Sequence, residues 1–248
     1  MPSRRFLFYP VLVLAVLLAV PSAARGVDNS LYAELLARHV RAGVVDYAGL
    51  MADKASLEGY LAVLEAVQPE TLPREERFAF WINVYNAFTL HLVLQHLPGI
   101  ESIKDIGGLC SSPWGIGVIH VGGRTLTLDE VEKAILIPEF LDARVHFAIN
   151  CASKSCPPLL AEPYEGARLE QQLEERAMSF INDPAHNGLE GDTLRLSRIF
   201  KWYKNDFGGD PVAYVQRFAR GELAQGLSTL GGGVRVRYRD YDWSLNGR

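Results

Sequence analysis

The feature that most restricts the fold is a helical segment that lies between two helix-breaking sites and is apolar on nearly every side. It opens near Pro73 and stops at Pro98-Gly99, and its centre, residues 78–88, reads FAFWINVYNAF. Proline is accepted in the first turn of a helix and interrupts a helix when it comes later. A helix without a polar face must be buried on most sides. We therefore expect this helix at the centre of the molecule, with the other elements around it.

The rest of the chain mixes shorter helices with short strands. Apolar residues predict further helices at residues 30–40, 56–67, 169–180 and 211–220. Strands are predicted at residues 144–150, 194–196 and 234–238. Because the elements do not alternate in βαβ order, we predict an α+β fold. It would be a mostly helical single domain whose central helix packs on a small antiparallel sheet.

A β-hairpin is predicted over residues 118–128, with Gly122-Gly123 as its two-residue turn. At its end, Thr127 and Glu130 have the spacing of a capping box, in which each side chain bonds the other's backbone. They predict a short helix, which we expect to end before Pro138 because proline cannot continue it.

The N-terminus predicts a cleavable signal peptide at residues 1–24. Arg4 and Arg5 precede an apolar run over residues 6–20, and small residues at positions 22 and 24 mark the cleavage site. The run of 15 residues is shorter than the roughly 20 that a membrane-spanning helix needs. An uncleaved anchor is the alternative. Residues 25–248 would then be one periplasmic or secreted domain without stable membrane insertion.

The charge of the chain argues against nucleic acid as its partner. The formal net charge is −4, and no stripe of Lys and Arg is present to neutralise phosphates. The sequence also lacks a phosphate-binding glycine loop, and no cofactor is predicted. A protein, peptide or glycan is the partner to be expected of an exported domain of this kind.

The cysteines, Cys110, Cys151 and Cys156, allow two interpretations. Disulfides persist outside the cytoplasm, and the Cys151-x4-Cys156 spacing can close a small loop. In the other interpretation Cys151 is a reactive thiolate, and His146 or Lys154 is the cation or base that lowers its pKa. The residues alone leave both interpretations open.

The position of His146 relative to Cys151 depends on the predicted strand at residues 144–150. In a strand, His146 and Asn150 share one face and Cys151 points away, unless the chain turns there. The turn-forming residues after Cys151 are compatible with such a turn. Taken alone, His146 has the features of an ordinary half-buried histidine.

Two asparagines, Asn83 and Asn86, lie within the apolar central helix, where a buried amide must find hydrogen-bond partners. In one interpretation they tie neighbouring loops to the helix. In the other, one of them orients a catalytic imidazole.

Other polar and aromatic residues give weaker signals. His120, His146 and the cysteines are suitable zinc ligands, but no HExxH or paired CxxC motif fixes a geometry, and no metal is predicted. Glu130 and Glu132 are expected on the solvent face of their helix. Six aromatic residues are expected in the core rather than as a platform for sugars: Phe200, Trp202, Tyr203, Phe207, Tyr241 and Trp243.

Characteristic stretches occur in order along nearly the whole predicted mature chain, at residues 45–47, 80–87, 102–106, 126–132, 146–159, 197–203, 206–207 and 241–246. In these stretches the chain resembles the DUF547 family, a domain named for its unknown function. The resemblance implies no particular reaction. Some family members have serine in place of Cys156, which favours Cys151 as the nucleophile. The family often has a histidine where this chain has Lys133.

Two functions follow from these residues. In the first, the chain is a thiol-dependent hydrolase or acyl-transfer enzyme, with Cys151 as nucleophile, His146 as base and Asn83 or Asn86 as the orienting or oxyanion group. A papain-like architecture would suit it, although that fold places its cysteine at the start of the central helix. In the second, it is a non-enzymatic envelope domain that binds a protein, peptide or glycan, stapled by a Cys151–Cys156 disulfide.

The signal peptide gives a first testable prediction. Because the small residues at positions 22 and 24 form the cleavage site, the mature protein should begin at Arg25, within a residue or two. N-terminal sequencing of protein from the periplasm or medium measures this directly. A full-length product retained in the membrane would contradict the prediction.

Overall fold

The longest helix of the structure is the one that the sequence analysis places at the centre. The structure is a computed structural model that describes residues 26–108 and 112–247. In it, helix α4 runs from Arg74 to Leu94 after Pro73, and every residue from Phe78 to Leu90 is buried. As expected for a helix without a polar face, α4 is covered by neighbouring elements on all sides.

Shorter helices surround this central helix. Helix α3 packs directly on α4, and α1 packs on α3. No helix among the described residues is long and apolar enough to cross a membrane. The α-helices are α1 (Ser30–His39), α2 (Tyr47–Ala52), α3 (Lys54–Glu65), α4 (Arg74–Leu94), α5 (Leu128–Glu130), α6 (Ile137–Phe140), α7 (Leu169–Ile181), α8 (Ile199–Trp202), α9 (Pro211–Phe218) and α10 (Gly221–Leu230).

The strands form small separate sheets. They are β1 (Val40–Arg41), β2 (Val44–Val45), β3 (Gly117–Val121), β4 (Arg124–Thr127), β5 (Gly188–Glu190), β6 (Thr193–Leu196) and β7 (Arg235–Tyr238). Strands β3 and β4 form the predicted antiparallel hairpin, and β3 contacts α4. Strand β6 pairs antiparallel with β5 but parallel with β7. The α+β class is confirmed, while a papain-like architecture stays a prediction.

The strand predicted at residues 144–150 is wrong. Residues Ala143–Phe147 form a 3₁₀ helix, which Asp142 caps by accepting the backbone N–H of Arg144. Val145, Phe147 and Ala148 are all buried. A short apolar run that is buried on every side has no alternation, so its period cannot distinguish a strand from a helical turn.

The helix after the hairpin does not end before Pro138 as predicted. The capping box of Thr127 and Glu130 is present and opens α5. A π-helical stretch, Val131–Leu136, then connects α5 to α6, and the N–H of Ile137 bonds the carbonyl of Glu132, five residues earlier. Pro138 therefore lies in the first turn of α6, directly after the π-helical stretch, and does not end the helical segment.

The two asparagines of α4 hold loops against the helix. Asn83 donates from Nδ2 to the carbonyl of Tyr164 (2.8 Å) and accepts the N–H of the same residue (2.9 Å). Asn86 donates to the carbonyl of Ala148 (3.0 Å) and accepts the N–H of Asn150 (2.8 Å). Both side chains are buried, so each amide satisfies backbone groups that water cannot reach. The prediction that these residues tie loops to the helix is confirmed.

The segment at residues 241–247 crosses back over the molecule. The N–H of Asn246 bonds the carbonyl of Ala152 (3.0 Å), and the N–H of Lys154 bonds the carbonyl of Ser244 (2.9 Å). The carbonyl of Asn246 in turn accepts the N–H of Val45 (3.0 Å). This segment thereby joins the cysteine loop, residues 151–156, to the N-terminal part of the domain.

The role of Asn83 gives a second prediction. Asn83→Leu should lower the free energy of unfolding by about 2–4 kcal/mol, because it leaves both buried backbone groups of Tyr164 without a partner. Urea unfolding of the purified protein measures the change. The matched control is Gln171→Leu, at an exposed position of α7, which should change stability by no more than about 0.5 kcal/mol. Equal effects of the two substitutions would show that the Asn83 amide does not carry this role.

Candidate functional site

A cavity of about 260 Å³ opens between the π-helical stretch, the cysteine loop, α8 and the C-terminal segment. One side of it is aromatic. The rings of Trp202 and Trp243 stack 5.7 Å apart, and the ring of Tyr241 lies 4.4 Å from that of Trp243. Trp202 is 46% exposed. Trp114 and Tyr203 complete the aromatic wall.

A buried carboxyl group, that of Glu132, also lines the cavity, next to Tyr203. The π-helical stretch carries it inward, and such stretches are frequent at functional sites. The hydroxyl of Tyr203 donates a short hydrogen bond to Oε1 of Glu132, and that of Tyr85 donates to Oε2 (3.4 Å). Burial raises the pKa of Glu132, although the hydrogen bond from Tyr203 opposes the shift. The carboxyl group therefore keeps its proton to a higher pH than an exposed glutamate.

Two further charged residues, Asp129 and Lys133, also line the cavity. They pair with each other through Lys133 Nζ and Asp129 Oδ1, which are 2.8 Å apart, and both are solvent-accessible. The positive charge of Lys133 is thus matched by its neighbour one helical turn away.

The imidazole of His146 lies in the wall, stacked 3.9 Å from the ring of Tyr203. Its Nε2 is 2.8 Å from Oδ2 of Asp206, while Nδ1 is buried without a hydrogen-bond partner among the described residues. Burial lowers the pKa of His146 to about 4, even though Asp206 favours the protonated form. Burial therefore favours the neutral form of the ring.

The two cysteines of the loop, Cys151 and Cys156, are joined in a disulfide that lines the cavity. Cys156 is 6% exposed, while Cys151 is half-buried. Between them, Ala152 has a φ of 60° and is fully buried, so the chain reverses sharply after Cys151. The structure thus contains the disulfide, which is the first of the two interpretations of the cysteines.

The other predicted site residues lie away from this cavity. Asn83 and Asn86 bind loops, as described above. The side chain of Lys154 lines a different groove, beside Leu245. His120 is exposed on β3, with Nδ1 3.1 Å from the hydroxyl of Thr125. Cys110 lies outside the described residues, as does the predicted signal peptide.

Only part of the predicted constellation therefore comes together. His146, Cys151 and Cys156 share one cavity. Within residues 26–108 and 112–247, no group of three or more His, Cys, Asp or Glu side chains is placed to hold a metal ion.

Comparison with known proteins identifies the central part of the chain. A family model described as protein of unknown function, DUF547, matches residues 69–181. Residues 69–181 belong to the DUF547 family. Neither the curated proteins nor the solved structures contain a match.

The DUF547 segment supplies the polar half of the cavity. Tyr85, Glu132, His146 and the disulfide lie within it. Four aromatic residues of the cavity follow this segment in the sequence: Trp202, Tyr203, Tyr241 and Trp243. The cavity thus needs both the DUF547 segment and the chain that comes after it.

Sequence reasoning missed most of these cavity residues. Glu132 was expected on a solvent face but is 5% exposed, because the π-helical stretch rotates it inward. The prediction that the C-terminal aromatic residues form core holds for Phe200 and Phe207, which are buried. Tyr203, Tyr241 and Trp243 are partly buried against the core and also line the cavity, whereas Trp202 is exposed and does not belong to the core. The recurrence of Trp and Tyr at the end of the DUF547-like motifs was the available signal.

The raised pKa of Glu132 gives a third prediction, on stability against pH. Because its pKa in the folded protein lies above the ordinary 4.5, its contribution to stability is fully present below about pH 4.5 and is lost as pH rises through the raised value. Glu132→Gln cannot ionise, so the difference in unfolding free energy between this variant and wild type should grow in favour of the variant as pH rises. Urea unfolding at several values from about pH 4.5 to pH 8 measures it.

The control for this experiment is Glu34→Gln, at an exposed position of α1. The difference for Glu132→Gln should change with pH by more than the difference for Glu34→Gln does. Equal changes for the two variants would contradict a raised pKa at Glu132.

Proposed function

We propose that this chain is an exported, non-enzymatic binding domain whose cavity takes one neutral sugar ring of a glycan. Export follows from the predicted leader at residues 1–24. The disulfide forms part of the wall of the binding site. The observation that carries the proposal is the cluster of tryptophan and tyrosine rings that lines one cavity together with a buried carboxyl group.

The aromatic wall suits the apolar face of a sugar. A pyranose ring presents a face of C–H groups, and an exposed indole ring offers a flat apolar surface against which that face can pack. Trp202 keeps nearly half of its surface exposed, although it stacks on Trp243 and lies 4.8 Å from Tyr241. Large hydrophobic side chains are seldom left exposed in such a cluster unless they bind something.

The polar groups of the cavity favour a neutral ligand over a charged one. Glu132 shares its two oxygens with the hydroxyls of Tyr85 and Tyr203, and its raised pKa reduces its negative charge. The charge of Lys133 is balanced by Asp129. A phosphate or a nucleic acid would find no unpaired cation among these residues, whereas sugar hydroxyls could bond to carboxyl and phenol groups alike.

The size of the cavity limits the ligand to a single ring. Small-molecule sites usually measure about 300–1,000 Å³, and this cavity of about 260 Å³ lies just below that range. A longer glycan would place one ring inside and extend from the mouth past Trp202. This arrangement predicts stronger binding of short oligomers than of the monosaccharide.

A thiol-dependent hydrolase is less well supported. That mechanism needs Cys151 as a thiolate, whereas its sulfur is bonded to Cys156. Asn83 and Asn86 are engaged by loop backbone. The hydrolase stays a prediction that could apply only to the reduced chain.

Binding of oligosaccharides tests the proposal. Cello-, malto-, xylo- and chito-oligosaccharides would be titrated into the oxidised protein while tryptophan fluorescence and heat of binding are recorded. At least one series should bind, and Trp202→Ala should weaken its Kd by at least about tenfold, since a central aromatic contact contributes more than about 1.4 kcal/mol.

The control is Val63→Ala, at an exposed apolar position of α3 outside the cavity. It should leave the Kd unchanged. If no series binds, or if Trp202→Ala binds as well as wild type, the sugar-binding proposal is wrong.

A further inference from the structure

The two sulfurs of the disulfide have different surroundings. Sγ of Cys156 accepts the backbone N–H of Cys151 at 3.0 Å and the hydroxyl of Tyr241 at 3.3 Å. Sγ of Cys151 lies 3.3 Å from Oγ of Ser153 and 3.4 Å from the hydroxyl oxygen of Tyr241. Among the residues that the structure describes, a backbone N–H, which is fixed in direction, bonds the sulfur of Cys156 and not that of Cys151.

The hydroxyl groups of Ser153 and Tyr241 form a chain of hydrogen bonds that leads to the disulfide. Ser153 donates its hydroxyl hydrogen to the oxygen of Tyr241 at 3.2 Å. The hydrogen of Tyr241 is then available to the sulfur of Cys156 at 3.3 Å or to that of Cys151 at 3.4 Å. Burial raises the pKa of Tyr241 to about 12, so this phenol remains a donor at neutral and mildly alkaline pH. The sulfur of Cys156 thus has a backbone N–H as donor in addition to the phenol that lies beside both sulfurs.

The two cysteines also differ in how exposed they are, and here Cys151 is the more accessible one. Cys156 is 6% exposed, while Cys151 is half-buried. In thiol–disulfide exchange, the rate depends on which sulfur the attacking thiolate can reach and on how well the other sulfur carries negative charge as it leaves. Access favours attack at Cys151, and the additional backbone N–H favours Cys156 as the leaving sulfur.

Several hydrogen bonds hold the loop in addition to the disulfide. Asn150 Nδ2 bonds the carbonyl of Pro157 at 2.8 Å, and the N–H of Cys156 bonds the carbonyl of Ser153 at 3.1 Å. The C-terminal segment adds the backbone bonds to Ala152 and Lys154 described above. The bridge spans a sequence separation of 5, and cross-links across short loops restrict the unfolded chain least. Reduction should therefore leave the fold in place.

From these observations we propose that the Cys151–Cys156 disulfide undergoes exchange with a small thiol that enters the cavity. The thiolate attacks Sγ of Cys151 and forms a mixed disulfide, while the Cys151–Cys156 bond breaks and its electron pair goes to Sγ of Cys156. A second thiolate attacks the sulfur of the first, and the electron pair of that bond returns to Cys151. The two small thiols leave as one disulfide, both cysteines take up protons, and the protein has been reduced by two electrons. This activity goes beyond the proposed binding of a glycan and does not require it.

The first experiment identifies the sulfur that is attacked. All proteins carry Cys110→Ser, which removes the third cysteine. Cys156→Ser and Cys151→Ser variants are reacted under native conditions with 2-hydroxyethyl disulfide, and the mixed disulfide is quantified by mass spectrometry of the intact protein. The free Cys151 of the first variant should form the adduct at least about ten times faster than the free Cys156 of the second, since reaction requires access. Equal rates, or faster reaction at Cys156, would overturn the proposal.

The second experiment tests the leaving sulfur in the oxidised protein. Reduction by 2-mercaptoethanol is followed by acid quenching, alkylation and mass spectrometry. Tyr241→Phe should slow reduction about tenfold, because the departing thiolate loses one hydrogen-bond donor. The control is Tyr238→Phe, at a half-buried position of β7 outside the cavity lining, which should react as the parent protein does.

Circular dichroism before and after reduction completes the test. The reduced parent protein should keep its native spectrum. If the disulfide resists 2-mercaptoethanol until the protein is unfolded, or if the two tyrosine variants react alike, the bridge is a purely structural one and the proposal fails. Neither result would bear on glycan binding, which is measured separately.

Discussion

A buried amide needs partners for both its N–H and its carbonyl groups, and Asn86 finds them on the backbone at Ala148 and Asn150. Because the helix that carries Asn86 has no polar face, it is fixed in the interior, and the amide fixes the entry into the cysteine loop relative to it. The position of Cys151 follows from that contact, with Ala152 reversing the chain immediately afterwards. Removal of this amide would take away the contact between the central helix and the entry into the cysteine loop.

The cavity combines a buried carboxyl group with a disulfide, and each of them accepts a hydrogen bond from a phenol of the aromatic wall. The hydroxyl of Tyr203 donates to Glu132, and that of Tyr241 donates to a sulfur of the disulfide. The aromatic wall therefore also supplies hydrogen-bond donors. Phenols are suited to this because burial keeps them protonated, and they carry no charge that would repel a neutral ligand. Binding of a sugar ring and exchange with a small thiol would therefore use one surface in different ways.

The sequence predicted the regular elements better than the site. The apolar run of α4 and the capping box of Thr127 and Glu130 are local signals, and the structure contains both. Residues 144–150 were misassigned because complete burial removes alternation. The sequence pattern places Glu132 on the solvent face because it assumes 3.6 residues per turn. The π-helical stretch changes that period, and the side chain points inward instead. The aromatic wall consists of residues far apart in the chain, and no local sequence pattern predicts that they contact one another.

The backbone bonds that residues 241–247 make to Ala152, Lys154 and Val45 have a consequence for the order of folding. These contacts join parts of the chain separated by about 90 to 200 residues, and long-range pairings of this kind pay the largest entropy of loop closure. While the chain is being synthesised, α4 and its neighbours can assemble before this segment has emerged. Tyr241 and Trp243 then arrive as the final wall, so the cavity is among the last parts of the molecule to form.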